Sequence, residues 1–206
     1  GEYRQLAEGI YLEGLSYDFG RDVIWYSDVI TGGIYGVKPD GTPCGSFNEG
    51  RMWTGGVAMN SCGAVLSTGQ GGIMWNNPDT GKSGWLIQEL EGQPINGINE
   101  MWPDGTGGMY FGTNDIDYII EAKDTRPTKI YRMTADRQVI LLSDNVYFSN
   151  GIGYDPERRK FYCSDTFRTS WVWDVEADLT LSILSAKKIG TRVIHSSSPG
   201  HSWGNE

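Results

Sequence analysis

Three oxygen-bearing side chains precede similar segments of this sequence at nearly equal distances. Glu13, Asn99 and Asn150 each lie 14 or 15 residues before the end of an apolar, strand-like segment. If those segments are equivalent strands around one axis, the three side chains converge on it. One carboxylate and two amide carbonyls are hard oxygen donors, which suit Ca²⁺, Mg²⁺, Mn²⁺ or Zn²⁺. The spacing therefore favours a divalent-cation site.

The same residues also have a simpler interpretation as turns. Glu13 and Asn150 are each followed by glycine, and such pairs are common in turns because glycine adopts positive φ without strain. Any one of them alone is more often a turn residue than a ligand. Their common register keeps the metal interpretation open beside the turn interpretation.

The segments that must position these side chains recur along the chain. Each is an aromatic-rich strand that ends in a small residue followed by Asp or Thr, and a partner strand follows it. The strand ends fall at residues 28, 68, 113 and 165, so the spacings are 40, 45 and 52. The four copies are Val23–Asp28, Ala64–Thr68, Met109–Thr113 and Phe161–Asp165.

A repeat of about 40–50 residues built from short strands is typical of a β-propeller blade. A β-sandwich also has closely spaced strands, but it predicts no recurring motif of blade length. We therefore predict an all-β fold, a single partial β-propeller domain over residues 1–206. Its blades are expected at about 11–52, 53–95, 98–145 and 148–190, with the start of a fifth at 191–206.

Composition and charge exclude several kinds of protein. The 29 glycines and 12% aromatic residues fit many short strands and turns, because glycine costs about 1 kcal/mol inside a helix. A net charge of −9 argues against sequence-independent binding to nucleic acid. No apolar run approaches the roughly 20 residues of a membrane span. Residues 1–12 show no signal peptide, so the predicted location is the cytoplasm.

Cysteine and histidine are too sparse for several common sites. Cys44, Cys62 and Cys163 are widely spaced and form no CxxC pair, so free thiols are expected instead of a disulfide framework. His195 and His201 are the two histidines of the chain. That number argues against a three-histidine zinc site and against a histidine-based triad.

Taken together, these motifs resemble the senescence marker protein/gluconolactonase/luciferin-regenerating enzyme (regucalcin-like) family. The resemblance covers about residues 8–175, and the order and spacing of the motifs carry it. The matching motifs are Glu13-Gly14 with Tyr17-Asp18, Asn99-Glu100 with Asp104-Gly105, and Ser149-Asn150-Gly151, each with the strand that follows.

The resemblance implies a six-bladed propeller, of which about four blades are present in this chain, with one divalent metal ion on the axis. Glu13, Asn99 and Asn150 then fall on three of the family's metal-ligand positions. The implied activity is hydrolysis of a lactone or related cyclic ester. The cation would polarise the carbonyl while a carboxylate assists the attack of water.

Substrate contacts are expected close to this site. The family's substrate-binding acid falls on or near Asp117. The family's usual arginine is replaced by Gly97, so an apolar or aromatic substrate fits as well as a sugar lactone. The four residues expected to contact substrate are Asp117, Asp115, Glu100 and Trp102.

One further family position has no match in this chain. The family's fourth ligand, an Asp that is also the expected general base, would open the fifth blade. The sequence offers Ser198-Pro199-Gly200-His201 there, so no catalytic residue is assigned. His201 lies near the expected position and would favour zinc as a ligand. The alternative for that segment is a tail without a role in the site.

Two other functions remain open on the sequence alone. A propeller can be a non-catalytic module that binds a small molecule or a protein partner, since fold does not fix function. A strictosidine-synthase-like enzyme would need a catalytic glutamate that the sequence does not place. A bound divalent ion at Glu13, Asn99 and Asn150 would separate the hydrolase from the binding module.

Overall fold

The computed structural model describes residues 2–117 and 127–191. Eighteen β-strands lie in these ranges, and sixteen of them form four sheets of four antiparallel strands. In each sheet the strands pair with their neighbours in sequence, so each sheet is one propeller blade. The expected all-β propeller is confirmed. Within these ranges no helix is long and apolar enough to cross a membrane.

The strands follow one another as four meanders. Blade 1 contains β1 (Leu12–Asp18), β2 (Val23–Asp28), β3 (Ile34–Val37) and β4 (Pro43–Phe47). Blade 2 contains β5 (Val57–Met59), β6 (Val65–Gly69), β7 (Gly72–Asn76) and β8 (Ser83–Ile87). A short hairpin of β9 (Glu89–Leu90) and β10 (Gln93–Pro94) leads onward.

The second half of the chain repeats this arrangement. Blade 3 contains β11 (Gly97–Pro103), β12 (Met109–Asn114), β13 (Thr128–Met133) and β14 (Val139–Val146). Blade 4 contains β15 (Ser149–Asp155), β16 (Lys160–Asp165), β17 (Thr169–Asp174) and β18 (Lys187–Thr191). Residues 192–206, with the expected start of a fifth blade, His195 and His201, lie outside the described residues.

The burial pattern of a strand depends on the place of its blade in the fold. β16 alternates between buried and more exposed positions, as expected where a sheet packs on one face. β6 is buried at all five positions, because blade 2 has a neighbouring blade on either side. The difference explains why β6 reads as a continuous apolar and small-residue run.

Hydrophobic packing holds consecutive blades face to face. Three clusters of buried side chains occur, one at each junction between neighbouring blades. The junction of blades 1 and 2 contains Val23, Trp25, Ile34 and Val65. The next contains Leu66, Ile73, Ile98 and Phe111 among others, and the last contains Tyr110, Ile130, Ile152 and Phe161 among others.

The innermost strands of three blades carry a β-bulge near their first residues. The pairing shifts between Leu12 and Leu15 in β1, between Ile98 and Met101 in β11, and directly after Asn150 in β15. The innermost strand of blade 2, β5, pairs with β6 in regular register. Bulges re-aim side chains locally and are common beside functional sites.

Candidate metal centre

The three predicted oxygen donors lie at these three bulges. Glu13 falls inside the bulge of β1 and Asn99 inside that of β11. Asn150 is the last residue in register before the bulge of β15. Each bulge interrupts the alternation of its strand. Three separate blades thereby present side-chain oxygens at the same end of their innermost strands.

Asn99 and Asn150 are in direct contact across the junction of blades 3 and 4. The Asn99 Nδ2 group donates to Asn150 Oδ1 at 3.1 Å. Asn99 is buried, with 6% of its surface exposed. No residue within 2–117 or 127–191 donates a hydrogen bond to its Oδ1 atom. An amide oxygen that accepts no hydrogen bond has capacity for a ligand.

Two carboxylates also meet at this end of the molecule. Burial and, to a smaller extent, the negative charge of Glu13 together raise the pKa of Glu100 to about 7. Burial likewise raises the pKa of Glu13, while the nearby Tyr11 hydroxyl partly opposes that rise. The two acids are thus close enough to repel each other. A positive charge between them would relieve this repulsion.

Blade 2 contributes backbone to the site instead of a side chain. Gly55 and Gly56 occupy the place that Glu13-Gly14 and Asn99-Glu100 hold in their blades. A Cβ atom on Gly55 would lie 2.4 Å from the Asn99 carbonyl oxygen, and one on Gly56 would lie 3.2 Å from Glu100 Oε2. Only glycine lets β11 approach this closely.

Two buried hydroxyls connect the innermost strands of blades 1, 2 and 3. The Ser27 Oγ atom accepts from the Gly14 N–H at 2.8 Å and donates to the Gly55 carbonyl at 2.6 Å. The Thr68 Oγ1 atom accepts from the Gly56 N–H at 2.7 Å and donates to the Asn99 carbonyl at 2.5 Å. We call Ser27 and Thr68 the inter-blade hydroxyls.

The donor set fits a divalent cation. It combines the carboxylate of Glu13 with the amide oxygens of Asn99 and Asn150, beside the carboxylate of Glu100, and such oxygen ligands suit Ca²⁺ or Mg²⁺. In the described part of the chain, no three Asp, Glu, His or Cys side chains gather at one point. A cation at this end of the propeller would therefore depend on the two asparagine amides. We call these four residues the candidate metal centre.

The remaining expected substrate contacts are less closely joined to this centre. The Asp117 carboxylate accepts from Asn96 Nδ2 at 2.8 Å, in the loop after β12. Asp115 lines a cavity of about 300 Å³ beside β10 and the start of β13, together with Thr113 and Lys129. Trp102 is 44% exposed near the far end of β11. Of the four, Glu100 is the residue that the structure brings to Glu13.

Gly97 occupies a place where a side chain would not fit. A Cβ atom there would lie 2.2 Å from Ile116 Cδ1, and Ile116 is buried. Any larger residue at position 97 therefore requires Ile116 to move. The replacement of the family's usual arginine by Gly97 is consistent with this packing.

Sequence reasoning missed the glycine pair and the inter-blade hydroxyls. The repeat predicts that Thr68 is equivalent to Asp28 as the end of a strand, but its hydrogen bonds place it opposite Gly56, as Ser27 lies opposite Gly14. The repeat in blade 2 is thus shifted by one residue. A glycine pair directly before an innermost strand, with a hydroxyl residue opposite, was the available signal.

Comparison with known families supports the same relationship. A family model described as the SMP-30/Gluconolactonase/LRE-like region matches residues 12–196. The match contains the whole candidate metal centre. A gluconolactonase of Zymomonas mobilis is 24% identical over 156 residues, which are 69% of this chain and 43% of that protein. The chain thus spans less than half of the length of this relative.

Two similar solved structures show the fold. A gluconolactonase from Xanthomonas campestris has a TM-score of 0.75 at 17% identity, and the match covers 88% of this chain and 63% of that one. Regucalcin, a calcium-binding protein from Agrobacterium tumefaciens, has a TM-score of 0.74 at 19% identity, covering 92% of this chain and 63% of that one. These shares agree with four blades of a six-bladed propeller.

Proposed function

Because the chain belongs to the SMP-30/Gluconolactonase/LRE-like family, we propose that it is a divalent-metal-dependent hydrolase that opens a lactone or related cyclic ester. The family relationship supports lactone hydrolysis as the general activity. The metal dependence and the ligand residues are our proposal. The activity of the whole protein is also part of the proposal, since the chain spans only part of its relatives.

The convergence of oxygen donors from three blades is the observation that carries this proposal. Asn99 and Asn150 lie within hydrogen-bond distance of each other, and the charge of Glu13 acts on Glu100. Glu13, Asn99 and Asn150 are far apart in sequence, and each lies at a β-bulge in the innermost strand of its blade. If these residues only formed turns, their side chains would not need to lie close to one another.

The residues of the candidate metal centre have different proposed roles. Glu13, Asn99 and Asn150 would hold the cation through side-chain oxygens, and Glu100 would orient the substrate by accepting a hydrogen bond from it. A divalent cation bound there supplies Lewis-acid chemistry, polarising the lactone carbonyl and offsetting the charge that develops on its oxygen. Trp102, Asp115 and Asp117 remain proposed contacts to the rest of the substrate.

The first prediction is that Glu13→Ala and Asn150→Ala abolish both divalent-cation binding and lactone hydrolysis. Residues that only support metal ligands change affinity by about 10–100-fold, so loss of a ligand should weaken binding by more than about 100-fold. Calorimetric titration with Ca²⁺, Mg²⁺, Mn²⁺ and Zn²⁺ measures binding. Hydrolysis breaks the ring ester bond and releases an acid, so a fall in pH over a panel of lactones measures turnover.

Two exposed residues provide matched controls for this experiment. Asn60→Ala and Glu157→Ala remove the same side-chain types at a distance from the candidate metal centre, and both should behave like the wild-type protein. Unchanged thermal unfolding of Glu13→Ala and Asn150→Ala would show that the fold is intact. Wild-type protein that binds a cation but opens no lactone would favour the non-catalytic binding module. Retention of cation binding by both variants would refute the ligand assignment.

A further inference from the structure

We propose that the inter-blade hydroxyls, Ser27 and Thr68, are positioning residues that fix the ligand-bearing bulges of the candidate metal centre relative to one another. The predicted effect of these residues on metal binding rests on the proposed function. Neither residue offers its oxygen to the centre, because each hydroxyl is already used by backbone groups of two blades. Their effect on a cation would be indirect, through Glu13 and Asn99.

Thr68 holds the main chain at Asn99 with two neighbouring contacts. Its hydroxyl donates to the Asn99 carbonyl at 2.5 Å, and the Gly56 N–H approaches the same carbonyl at 2.7 Å. Thr68 is completely buried. Blade 2 therefore fixes the peptide unit that joins Asn99 to Glu100.

Ser27 makes the equivalent link one blade earlier. Its hydroxyl joins the N–H of Gly14, the neighbour of Glu13, to the carbonyl of Gly55 in blade 2. Ser27 is also completely buried. From Gly55-Gly56 the connection continues through Thr68 to Asn99, and from Asn99 through its side-chain amide to Asn150. One hydrogen-bonded path thus passes all three proposed ligands.

The junction of blades 3 and 4 is arranged differently at this place. The equivalent position in blade 3 is Gly112, which carries no hydroxyl. A Cβ atom there would lie 2.0 Å from Ser149 Oγ, so the Ser149 side chain of blade 4 fills that place. At this junction the hydroxyl belongs to the later blade instead of the earlier one. Ser27 and Thr68 occur at the junctions that lead to Glu13 and Asn99.

The test compares Thr68→Val, Thr68→Ser and the matched control Thr128→Val in the full chain. Thr128 is buried and its Oγ1 atom donates to the Val146 carbonyl at 2.7 Å, so its variant also loses one buried hydroxyl bond. Thr68→Val should weaken Ca²⁺ binding by about 10–100-fold, the usual cost of losing a supporting residue. Thr68→Ser should restore wild-type affinity, and Thr128→Val should not change it.

A second readout does not depend on any metal. The side-chain amide signals of Asn99 and Asn150 in ¹⁵N-resolved NMR spectra of the metal-free protein report their mutual hydrogen bond. We expect them to move in Thr68→Val, to return in Thr68→Ser and to stay in place in Thr128→Val. Ser27→Ala should instead move the backbone amide signals of Glu13 and Gly14.

These readouts separate failure of this proposal from failure of the proposed function. If the wild-type protein binds no divalent cation, the proposed metal dependence is wrong, while the amide signals still decide whether Thr68 positions Asn99. If Thr68→Val leaves those signals and the Ca²⁺ affinity unchanged, the positioning role is refuted. An equal loss in Thr68→Val and Thr128→Val would also refute it, because the effect would then be a general one on stability.

Discussion

Asp104 and Arg132 form a buried ion pair at the opposite end of β11 from Asn99. The guanidinium donates through Nε at 2.8 Å and approaches through Nη2 at 2.7 Å. Burial alone would raise the pKa of Asp104. Hydrogen bonds from the Thr106 N–H, from Arg132 and from the Gly108 N–H outweigh it, so the pKa is lowered. The ionised carboxylate is therefore part of the folded structure.

The lowered pKa of Asp104 predicts how its contribution to stability depends on pH. Because the folded-state pKa lies below the ordinary value of about 3.9, ionised Asp104 stabilises the fold above that value. This stabilisation is lost as the pH falls through the folded-state pKa. Asp104→Asn should lower the free energy of unfolding at pH 7 by about 3 kcal/mol, since it leaves Arg132 buried without its partner.

Denaturant unfolding at pH 7 and at acidic pH measures this contribution. The difference between wild-type protein and Asp104→Asn should narrow as the pH falls below about 4. Asp144→Asn removes an exposed carboxylate from the same blade and should cost little at either pH. A difference of equal size at both pH values would show that the charge of Asp104 is not what stabilises the fold.

At the scale of whole elements, the Asp that ends the second strand attaches blades 1 and 4 to the segments that enter them. The Asp28 carboxylate accepts the Ile10 N–H at 2.8 Å, and Asp165 accepts the N–H groups of Tyr147 and Phe148 at 3.1 Å each. Both acids lie one residue beyond the position of the inter-blade hydroxyls. The recurring Asp in the sequence is thus a structural feature of the blade.

The close approach of Gly112 and Ser149 predicts a compensating pair of substitutions between blades 3 and 4. Gly112→Ala places a methyl group 2.4 Å from the Ser149 Cβ atom, and overpacking of this kind costs about 1–3 kcal/mol. Ser149→Gly alone should cost less. The double variant should be more stable than Gly112→Ala, because the remaining Cα atom lies 3.9 Å away.

Thermal and denaturant unfolding of the three variants completes this double-mutant cycle. The cycle isolates the pairwise coupling because the two residues meet across the junction. Gly153→Ala, at a site with nothing within 4 Å of the added atom, is the control and should couple to neither. Strict additivity of Gly112→Ala and Ser149→Gly would contradict the proposed contact.

The sequence allowed prediction of features that depend on periodicity, and it did not allow prediction of those that depend on register. Apolar alternation and recurring strand ends reveal the blades, because every blade buries a face of its sheet. Glu13, Asn99 and Asn150 stand out because all three carry oxygen donors at a fixed distance from those ends. The repeat misplaces Thr68 by one residue, because the position equivalent to Asp28 in blade 2 is Gly69, which carries neither a carboxylate nor a hydroxyl.

The contacts of Asp117 could not be anticipated for a different reason. Its partner Asn96 lies in the segment before β11, and the sequence gives no periodic signal there. A short acidic loop can turn toward the axis or away from it at similar cost. In the folded chain the Asp117 carboxylate accepts a hydrogen bond from the Asn96 side chain, and this contact sets its direction.

At the scale of the whole molecule, the packing of blades predicts three different reactivities for the three thiols. Cys62 is exposed, Cys44 is partly buried, and Cys163 is buried at the junction of blades 3 and 4. Burial raises the pKa of Cys163 to about 12. Because the thiolate is the reactive form, Cys163 should react with a thiol reagent only when that junction opens.

Time-resolved labelling with a chromogenic disulfide reagent tests this order. Native protein should show one fast equivalent, one slower equivalent and one that appears only on unfolding, whereas denatured protein should show all three at once. Cys62→Ser should remove the fast phase and leave the others. Fast reaction of Cys163 in native protein would mean that blades 3 and 4 are not packed as described.

The path through the inter-blade hydroxyls has a single sense of rotation about the propeller axis. From Ser27 to Gly55, from Thr68 to Asn99 and from Asn99 to Asn150, the donor belongs to the earlier blade and the acceptor to the later one. If the Ser27 hydroxyl turned away, the Gly55 carbonyl would lose this donor, whereas the Asn99 carbonyl would keep the Gly56 N–H if Thr68 turned away. The effect of a substitution on this path therefore has a direction. Loss of a hydroxyl removes a hydrogen-bond donor from the following blade, so a substitution at Ser27 in blade 1 changes blade 2 first.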